Sequence, residues 1–378
     1  MPLSDEVLAW VTLARAPALD SETLSTALAR LGSAGGIMAA SDAVRERSGI
    51  PARAREYLRR GPSPGASERK WLEHARHHLL PFTDARYPQL LRSFPHHPVA
   101  LYAAGSIDTL CDPQLAVVGS RNPTAQGCDT AYEFSQYLAE RGLAITSGLA
   151  QGIDSCAHRG ALAVQGITLA VFGCGLDVVY PRSNAELSEA IEVQGVLISE
   201  FALGSAPLRA HFPQRNRIIA GLSLGTLVIE AALGSGSLIT ARAANELGRE
   251  VFAVPGSIQN PLSRGCHGLI KEGAKLADTP DDILRNLNFS AIFASDSRPT
   301  PPGAGRMSGT AAMDKDHKIL LDALGFDPAD LDMLVGRTGF KPEAVSSMML
   351  ILELEGHVQA APGGRYSRVV NRRAGGER

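Results

Sequence analysis

The stretch from Leu115 to Asp154 constrains the fold more than any other part of the chain. Leu115–Val118 is a short apolar, β-branched run that predicts a buried strand, and a loop of turn-forming residues and a helix over 125–140 follow it. Leu143–Thr146 predicts a second strand, followed by Ser147-Gly148 and another helix. Two successive strand–loop–helix units imply parallel strands with right-handed crossovers. Both loops then lie at the carboxyl edge of the sheet, where α/β folds bind ligands.

Further apolar runs extend this sheet. Four of them, at 168–172, 196–199, 227–230 and 251–254, bring the count to at least six mostly parallel strands, and 99–103 is another candidate. Before them, the pattern predicts a helix through Trp71 and Leu79 and an extended segment over 87–98. We therefore expect an α/β, extended Rossmann-like core over residues 67–290.

The two ends of the chain differ from the core. Residues 1–66 predict a helical domain of four or five short helices, broken at Gly32 and Gly35-Gly36, which resembles a sterile-alpha-motif (SAM) or helix-hairpin-helix bundle. Packing or protein contact is favoured for it over nucleic-acid binding. Residues 291–311 form a linker rich in Ser, Pro and Gly, and residues 312–378 predict a winged-helix-like domain of three helices (315–324, 328–335 and 342–355) and a hairpin.

The predicted third helix of that terminal domain lacks the residues of a DNA-reading helix. It carries no Arg or Lys after Lys341, which favours protein contact over base readout. A nonspecific phosphate contact remains open through the arginines that follow it, Arg365, Arg368, Arg372 and Arg373.

Composition excludes several classes of protein. The formal charge of −2 means that any nucleic-acid role must depend on local clusters of basic residues. The five cysteines are scattered without a C-x-x-C pair, so we expect no disulfide framework, no metal site and a reducing, cytoplasmic location. The N-terminus lacks the basic start of a signal peptide, and no apolar run approaches the length of a membrane span, so no membrane partner is expected.

The loop after the first predicted strand, Gly119-Ser120-Arg121 through Thr124, is a candidate anion site. G-x-G-x-x-G is absent after Val118, and no P-loop motif occurs in the chain, which argues against a dinucleotide fingerprint and a P-loop ATPase. Small residues, free backbone N–H groups and a helix N-terminus nevertheless suit phosphate, and Arg121 adds a guanidinium fork. The alternative is a structural turn with a solvated arginine.

A second cluster lies at 207–217, where basic residues surround an aromatic side chain. Arg209, His211, Arg215 and Arg217 flank Phe212. Guanidinium groups that hold phosphates, next to a ring that stacks on a base, are typical of single-stranded nucleic-acid binding. The alternative is a helix start with salt-bridged arginines.

A third candidate site follows the strand that ends near Glu230. Ser235-Gly236-Ser237 precedes a predicted helix and suits either a phosphate or a tight turn. Glu230 is the best acid/base candidate in the chain. Asp154 and His158 are spaced four residues apart on a helix, and we expect a salt-bridged or capping pair rather than a metal site.

Taken together, these motifs resemble the DprA (Smf) family of DNA-processing proteins over residues 80–285. The matching segments are Val118-Gly119-Ser120-Arg121 with Thr124, Ser147-Gly148 through Asp154, Tyr180-Pro181 with Asn184, Phe212-Pro213, Arg215 through Gly221, Ser235-Gly236-Ser237-Leu238, Val254-Pro255-Gly256 and Gly273-Ala274. One departure is Gly265-Cys266-His267, where the family usually has Gly, a small hydroxyl residue and Asn.

The resemblance implies a non-enzymatic protein without a cofactor. Such a protein binds and protects single-stranded DNA without sequence preference, forms a homodimer through its Rossmann-like core, and loads RecA during natural transformation and recombination. It also implies DNA contacts at Arg121, Arg182, Arg209 and Phe212, and phosphate contacts at the loops of Ser120, Ser147-Gly148 and Ser235-Gly236-Ser237. The complete candidate site adds Gly119, Thr124, Arg215, Asn216 and Arg217. The alternative for Arg215 or Arg217 is a role in supporting a loop.

Two alternatives use the same fold. Nucleoside-monophosphate phosphoribohydrolases resemble it and carry a catalytic Glu, but they lack the Phe-x-x-Arg-Asn-Arg cluster present here at 212–217. A nucleotide-sensing scaffold is the other alternative. For the homodimer, the amphipathic segment Cys266–Lys271, with Leu269 and Ile270, is a candidate interface.

Overall fold

The computed structural model describes residues 3–287, residue 289, and residues 315–324 and 328–369. The chain divides near residue 297 into two compact units. The predicted linker at 291–311 and the tail with Arg372 and Arg373 lie outside the described residues.

The first unit is built on a nine-stranded sheet, ordered β1-β2-β6-β5-β4-β3-β7-β8-β9. β1 and β2 are antiparallel to their neighbours, and the remaining pairs are parallel. The predicted α/β class and the mostly parallel sheet are therefore confirmed. The strands are β1 (His77–Pro81), β2 (Ala100–Gly105), β3 (Gln114–Gly119), β4 (Ala144–Ser147), β5 (Thr168–Val171), β6 (Val196–Ser199), β7 (Gly225–Ile229), β8 (Glu250–Ala253) and β9 (Lys275–Leu276).

Fourteen helices are described in this unit. They are α1 (Asp5–Ala14), α2 (Ser21–Leu31), α3 (Ala34–Ala39), α4 (Asp42–Arg47), α5 (Ala52–Arg59), α6 (Ala66–Leu72), α7 (Gln89–Arg92), α8 (Ala125–Glu140), α9 (Ile153–Ala163), α10 (Ala185–Gln194), α11 (His211–Leu222), α12 (Ser237–Glu246), α13 (Arg264–Lys271) and α14 (Pro280–Asn286).

The sheet is buried on both faces because β3 alternates its side chains between two cores. Leu115 and Val117 face the core that contains Phe134 of α8 and Ala157 of α9. Ala116 and Val118 belong to the other core, with Ile218 of α11 and further residues of the N-terminal helices. A continuous apolar run with this placement is typical of a central parallel strand.

Three local predictions are wrong. The helix expected through Leu79 ends at Leu72, because 77–81 pairs with β2 and buries Leu79 and Leu80 as a strand. The segment predicted to be extended contains α7. Gly35-Gly36 lies inside α3 rather than breaking the bundle, because Ser33 caps that helix by accepting a hydrogen bond from the N–H of Gly36.

The second unit is a winged-helix domain, as predicted. It contains α15 (Lys315–Leu324), β10 (Ala329–Asp330), α16 (Leu331–Thr338), α17 (Pro342–Leu354), β11 (Val358–Ala361) and β12 (Arg365–Arg368), with sheet order β10-β12-β11. The helix predicted from Pro328 begins later, at Leu331. Ala329 pairs with Tyr366 of β12, and Asp330 caps α16.

The sequence predicted no disulfide framework, and the structure contains one disulfide. Cys128 of α8 and Cys156 of α9 are joined by a disulfide, with their Cα atoms 5.6 Å apart. The bond joins two helices that pack side by side, and a sequence separation of 28 residues gives no motif from which to predict it. Cys111, Cys174 and Cys266 are free. Among the described helices, none has the length and apolar character needed to cross a membrane.

Candidate nucleic-acid interface

The centre of the sheet contains a topological switch point. The chain runs from β3 outward through β4, β5 and β6, and then crosses to β7 on the other side of β3. In such sheets the loops that follow the two central strands flank a crevice where ligands bind. Here these are the loops after Gly119 and after Ile229, and both were predicted anion sites.

The crevice itself is bridged by hydrogen bonds within the protein. Both the backbone N–H and the hydroxyl of Thr124 donate to the carboxylate of Glu230, at 2.7 and 2.5 Å. The same hydroxyl oxygen accepts from the N–H of Gly127 and so caps α8. Thr124 and Glu230 therefore hold the two loops together. Glu230, the acid/base candidate, is engaged as an acceptor.

A solvent-facing platform lies beside this bridge. The guanidinium carbon of Arg121 is 5.4 Å from the ring centre of Phe212, and the ring of Tyr180 is 5.6 Å away on another side. Arg121 is exposed, Phe212 is half-buried and Tyr180 is 46% exposed. A pocket of about 60 Å³ opens between them, lined by Arg121, Gly148, Ala150, Gln151, Tyr180, Pro181 and Phe212.

The backbone of Gly173 makes room for the aromatic ring. A Cβ atom at that position would lie 3.1 Å from Cδ1 of Phe212, closer than ordinary packing allows. Since Phe212 is in the first turn of α11, its ring is held against the end of β5 while one side faces the pocket. A ring with one supported side and one accessible side suits base stacking.

Arg215 supports the pocket from beneath. It is 3% exposed and donates to the backbone carbonyls of Gly148, at 2.6 Å, and of Val171. Burial lowers the pKa of Arg215 to about 10, so it stays charged at neutral pH, and nearby Asp154 opposes that shift. Of the two arginines that the sequence left open as loop supports, Arg215 has this role.

The carboxylate of Asp154 lies where the loop after β4, at Ser147-Gly148, was predicted to bind a phosphate. It accepts from the N–H groups of Gly148 and Ala150 at 3.1 and 3.3 Å. Burial raises the pKa of Asp154, and the neighbouring guanidinium of Arg215 opposes the rise. The amide of Gly148, predicted to bind a phosphate, is therefore already bonded to a carboxylate of the protein.

His158 does not pair with Asp154, so the predicted pair is wrong. The Nδ1 atom of His158 lies 2.7 Å from the hydroxyl oxygen of Thr168, which in turn donates to the carbonyl of Ile145. Burial lowers the pKa of His158 to about 3, so the imidazole is neutral. This side chain is part of the packing between α9 and β5.

The remaining serines and glycines divide into internal and accessible positions. The hydroxyl of Ser147 is fully buried and donates to the carbonyl of Val117 at 2.6 Å, so it is unavailable to a ligand. Position 119 requires a glycine because the backbone of Ile229 lies close to it. A Cβ atom at position 119 would lie 1.9 Å from the carbonyl oxygen of Ile229. Ser120 is half-buried, and its hydroxyl accepts from the N–H of Asn122 at 3.1 Å.

Arg217 and Asn216 also have partners within the protein. Arg217 forms an ion pair with Glu200 and donates to the carbonyl of His96 at 2.7 Å. Asn216 accepts from Nε of Arg215 and donates to the carbonyl of Gly236. Arg217 therefore anchors α11 at the end of β6.

The Ser235-Gly236-Ser237 loop starts α12. The hydroxyls of Ser235 and Ser237 are 2.7 Å apart, and no side chain caps the helix. A Cβ atom at Gly236 would meet nothing within 4 Å, so this turn is open to solvent. Contacts within the protein therefore do not require a glycine at position 236.

Arg182 and Arg209 are both exposed, and the structure places Arg182 directly after Pro181 of the pocket. Four pocket residues, Ala150, Gln151, Tyr180 and Pro181, were absent from the predicted site. Tyr180 and Pro181 form one of the matched family segments, and that match was the signal available in the sequence. Nothing local in the sequence distinguishes Gln151, whose amide donates to the hydroxyl of Ser183.

The sheet order and its switch point define a Rossmann-like protein, a class in which ligands bind at the carboxyl edge of the sheet. The model of the family "DNA recombination-mediator protein A" matches residues 78–288, and the model "DprA winged helix domain" matches residues 299–364. The chain belongs to the DprA (Smf) family.

Named relatives agree with this assignment. The chain is 45% identical to "Protein Smf" of Escherichia coli over 295 residues, 78% of each chain. The X-ray structure of DNA processing protein A from Streptococcus pneumoniae superposes with a TM-score of 0.63 and 37% identity, covering 75% of this chain and 98% of that one. The structure of DNA processing protein A from Helicobacter pylori, a protein with a single-stranded DNA binding mode, matches with a TM-score of 0.52 and 28% identity, covering 57% of this chain and 98% of that one.

Proposed function

We propose that this protein binds and protects single-stranded DNA, without sequence preference, at the carboxyl edge of its sheet. The observation that carries the proposal is the platform of Arg121, Phe212 and Tyr180, which combines an exposed cation with two accessible aromatic rings within 6 Å of one another. A guanidinium binds phosphate, and a ring stacks on any base. The Helicobacter pylori relative, described as binding single-stranded DNA, supports the assignment.

The chemistry of the pocket supports binding that is independent of sequence. Its lining includes two aromatic residues and one arginine, Tyr180, Phe212 and Arg121, and ring faces accept every base alike. Arg182 and Arg209 are exposed and lie close in sequence to Pro181 and Phe212 of the pocket, and we propose that they extend the positive surface beside it. With about three to five phosphates neutralised, the logarithm of the association constant should fall with the logarithm of salt concentration at a slope of roughly −2 to −3.5.

The test is a titration of the full chain with single-stranded oligonucleotides of several base compositions and with the matching duplexes. The proposal predicts similar affinities for all single strands and weaker binding to duplex, whose bases are already stacked and paired. A strong preference for one sequence, or equal affinity for duplex, would contradict it.

We propose that the protein acts as a homodimer that loads RecA onto the bound strand during natural transformation and recombination, in the cytoplasm. The candidate dimer surface is the sheet edge beyond α13. There Leu276 of the edge strand β9 is 48% exposed, and Ile270 is half-buried, while Leu269 and Cys266 pack into the core. Two linked sites would make the second DNA contact effectively intramolecular.

Two measurements test this assembly. Light scattering should give twice the monomer mass for the wild type and the monomer mass for Leu276→Glu. RecA assembly on strands coated with single-strand-binding protein should be faster with the wild type than with that variant. A wild type that stays monomeric at tens of micromolar would rule out the dimer, and unchanged RecA assembly would rule out loading.

A binding role also fits Glu230 better than catalysis does. A phosphoribohydrolase needs a carboxylate free to act on the sugar, whereas both oxygens of Glu230 accept hydrogen bonds from Thr124. Incubation with nucleoside monophosphates should therefore release no free base. For the winged-helix domain, we propose protein contact, because α17 exposes Leu350, Ile351 and Leu354.

A further inference from the structure

A strongly basic hairpin is present in the N-terminal bundle. The basic hairpin, residues 42–60, comprises α4, α5 and the turn between them, and it carries six arginines and three carboxylates, a net charge of +3 in a chain whose net charge is −2. The turn depends on Gly49, whose φ is +87°, and on Ile50, which is 3% exposed and anchors the turn in the core.

Internal pairing neutralises only part of this charge. Arg55 is held by Asp42 and Glu46 at 2.9 and 2.8 Å. Arg45 is buried and donates to the carbonyls of Ile37 and Met38. These contacts stabilise the hairpin, and two of its three carboxylates, those of Asp42 and Glu46, are paired with Arg55.

Three cations at the turn remain without an acidic partner. Arg47 is the last residue of α4 and Arg53 lies in the first turn of α5, so both flank the turn, and both are exposed. Arg30 of α2 joins them by donating to the carbonyl of Arg47. Within the part of the chain that the structure describes, none of these three arginines forms an ion pair.

The bundle that carries this hairpin is docked at the same edge of the sheet as the DNA platform. β2 is antiparallel to both β1 and β6, so β1 and β6 run in the same direction and their carboxyl ends share one edge. Phe82 follows β1 at that edge, and its ring centre is 5.8 Å from that of Trp10 in α1. Helix α1 therefore packs at the edge where the predicted DNA loops lie.

A second link joins the bundle to α11, the helix that carries Phe212. Arg217 of α11 donates to the carbonyl of His96. Asp20, the N-cap of α2, has a lowered pKa, mainly because of hydrogen bonds with Thr23 and to a smaller extent because of its electrostatic interaction with His96. The loop of His96 therefore links α11 to the surroundings of the N-terminus of α2, the helix that supplies Arg30 in its last turn.

We infer that the cluster of Arg30, Arg47 and Arg53 is a second contact for the same single strand, binding its phosphates after the strand leaves the platform at Phe212. This inference rests on the proposed function and extends it to the N-terminal bundle. Exposed guanidinium groups fit a phosphodiester backbone, and the cluster presents no exposed aromatic ring, so its contribution is electrostatic and independent of base. A strand must be long enough to span both surfaces before the cluster contributes.

The experiment uses the full chain, the double variant Arg47→Glu/Arg53→Glu, and oligothymidines of about 6 and about 30 nucleotides, below and well above the usual span of one binding surface. The short strand should bind wild type and variant equally. The long strand should bind the variant about tenfold more weakly, with a salt slope shallower by about 1.4, which corresponds to two lost phosphate contacts. Both substitutions are at exposed positions, and circular dichroism melting checks that the fold is retained.

The matched control is Arg141→Glu/Arg285→Glu, which makes the same change of charge. Arg141 follows the carboxyl end of α8, at the opposite edge of the sheet, and Arg285 lies on α14, which packs against α8. This control should bind both strands as the wild type does.

Three outcomes would overturn the inference. Equal binding of the long strand by wild type and hairpin variant would show that the cluster makes no DNA contact and would leave an acidic protein as the partner it fits. Equal weakening of short and long strands, or equal weakening by the control, would show only a general effect of charge. Failure of the wild type to bind either strand would remove the proposed function as well, so the two failures are distinguishable.

Discussion

The guanidinium of Arg215 donates a 2.6 Å hydrogen bond to the backbone carbonyl of Gly148, across 67 residues of sequence. The contact leaves no space for a side chain at position 148, because a Cβ atom there would lie 2.4 Å from the guanidinium nitrogens. Gly148 and Phe212 both line the pocket, and Arg215 lies 6.0 Å from the centre of the Phe212 ring. The buried guanidinium of Arg215 thus fixes the loop of Gly148 and the ring of Phe212 relative to each other.

Replacing Arg215 should therefore destabilise the protein. In Arg215→Met the buried carboxylate of Asp154 loses its neighbouring cation and two carbonyls lose their donor, a change that should cost about 3–5 kcal/mol in the free energy of unfolding. Urea unfolding followed by circular dichroism measures it. The control is Arg209→Ala, an exposed position where stability should change by less than about 0.5 kcal/mol while DNA affinity falls. An Arg215→Met protein with wild-type stability but no DNA binding would instead make Arg215 a direct contact.

Arg121→Ala tests the charged part of the platform. Because Arg121 is exposed beside Phe212, we expect it to contact one phosphate. The substitution should weaken every oligonucleotide alike and make the salt slope shallower by about 0.7. Fluorescence anisotropy at several salt concentrations measures both quantities, with Arg141→Ala as the control. An unchanged slope would mean that Arg121 does not bind phosphate.

Phe212→Ala tests stacking separately from charge. Loss of the ring should cost about 1–3 kcal/mol of binding free energy with little change in the salt slope. Phe212→Leu is the matched control for apolar volume, and it should lose nearly as much because it lacks a ring face. Tyr180→Ala should show a smaller loss of the same kind. If Phe212→Leu bound as well as the wild type, the side chain would act by packing alone.

His158 predicts acid sensitivity of the fold. Its pKa is about 3 in the folded protein and about 6.5 in the unfolded chain. Below pH 6.5 the unfolded chain therefore binds a proton at His158 that the folded protein does not bind. Stability is therefore lost as pH falls from 6.5 towards 3, by about 2 kcal/mol between pH 7 and 5 from this group. His158→Gln, which can still donate to Thr168, should lose less stability over that interval. Parallel curves for the two proteins would exclude the assignment.

Periodicity and loop chemistry predicted the elements whose local signals agree with their tertiary surroundings. The helix expected over 125–140 is α8, because Thr124 caps its start and the glycine at 142, with φ at +85°, follows its end. The carboxyl-edge position of the loops also followed from strand order, since successive parallel strands must cross over the sheet.

The errors arise where distant partners decide the structure. Residues 77–81 become a strand only because β2 pairs with them. The position of Ser147 before a loop predicted that it would donate a hydrogen bond to phosphate. Its hydroxyl instead donates to the carbonyl of Val117 in the neighbouring strand. The sequence also did not show which of Arg121 and Arg215 is exposed and which is buried. Both are arginines near loops, and only the packing of α11 under Gly148 shows that one is exposed and the other buried.

The most direct test of the central claim compares the affinity of the wild type for a mixed-sequence single strand with its affinity for the corresponding duplex, at one fixed salt concentration, alongside Arg121→Ala and Phe212→Ala. The account predicts that the wild type binds the single strand more tightly than the duplex and that each substitution weakens single-strand binding, with circular dichroism showing that both variants remain folded. Equal affinity of the wild type for strand and duplex, or wild-type binding by both variants, would contradict the assignment of this edge as the DNA site.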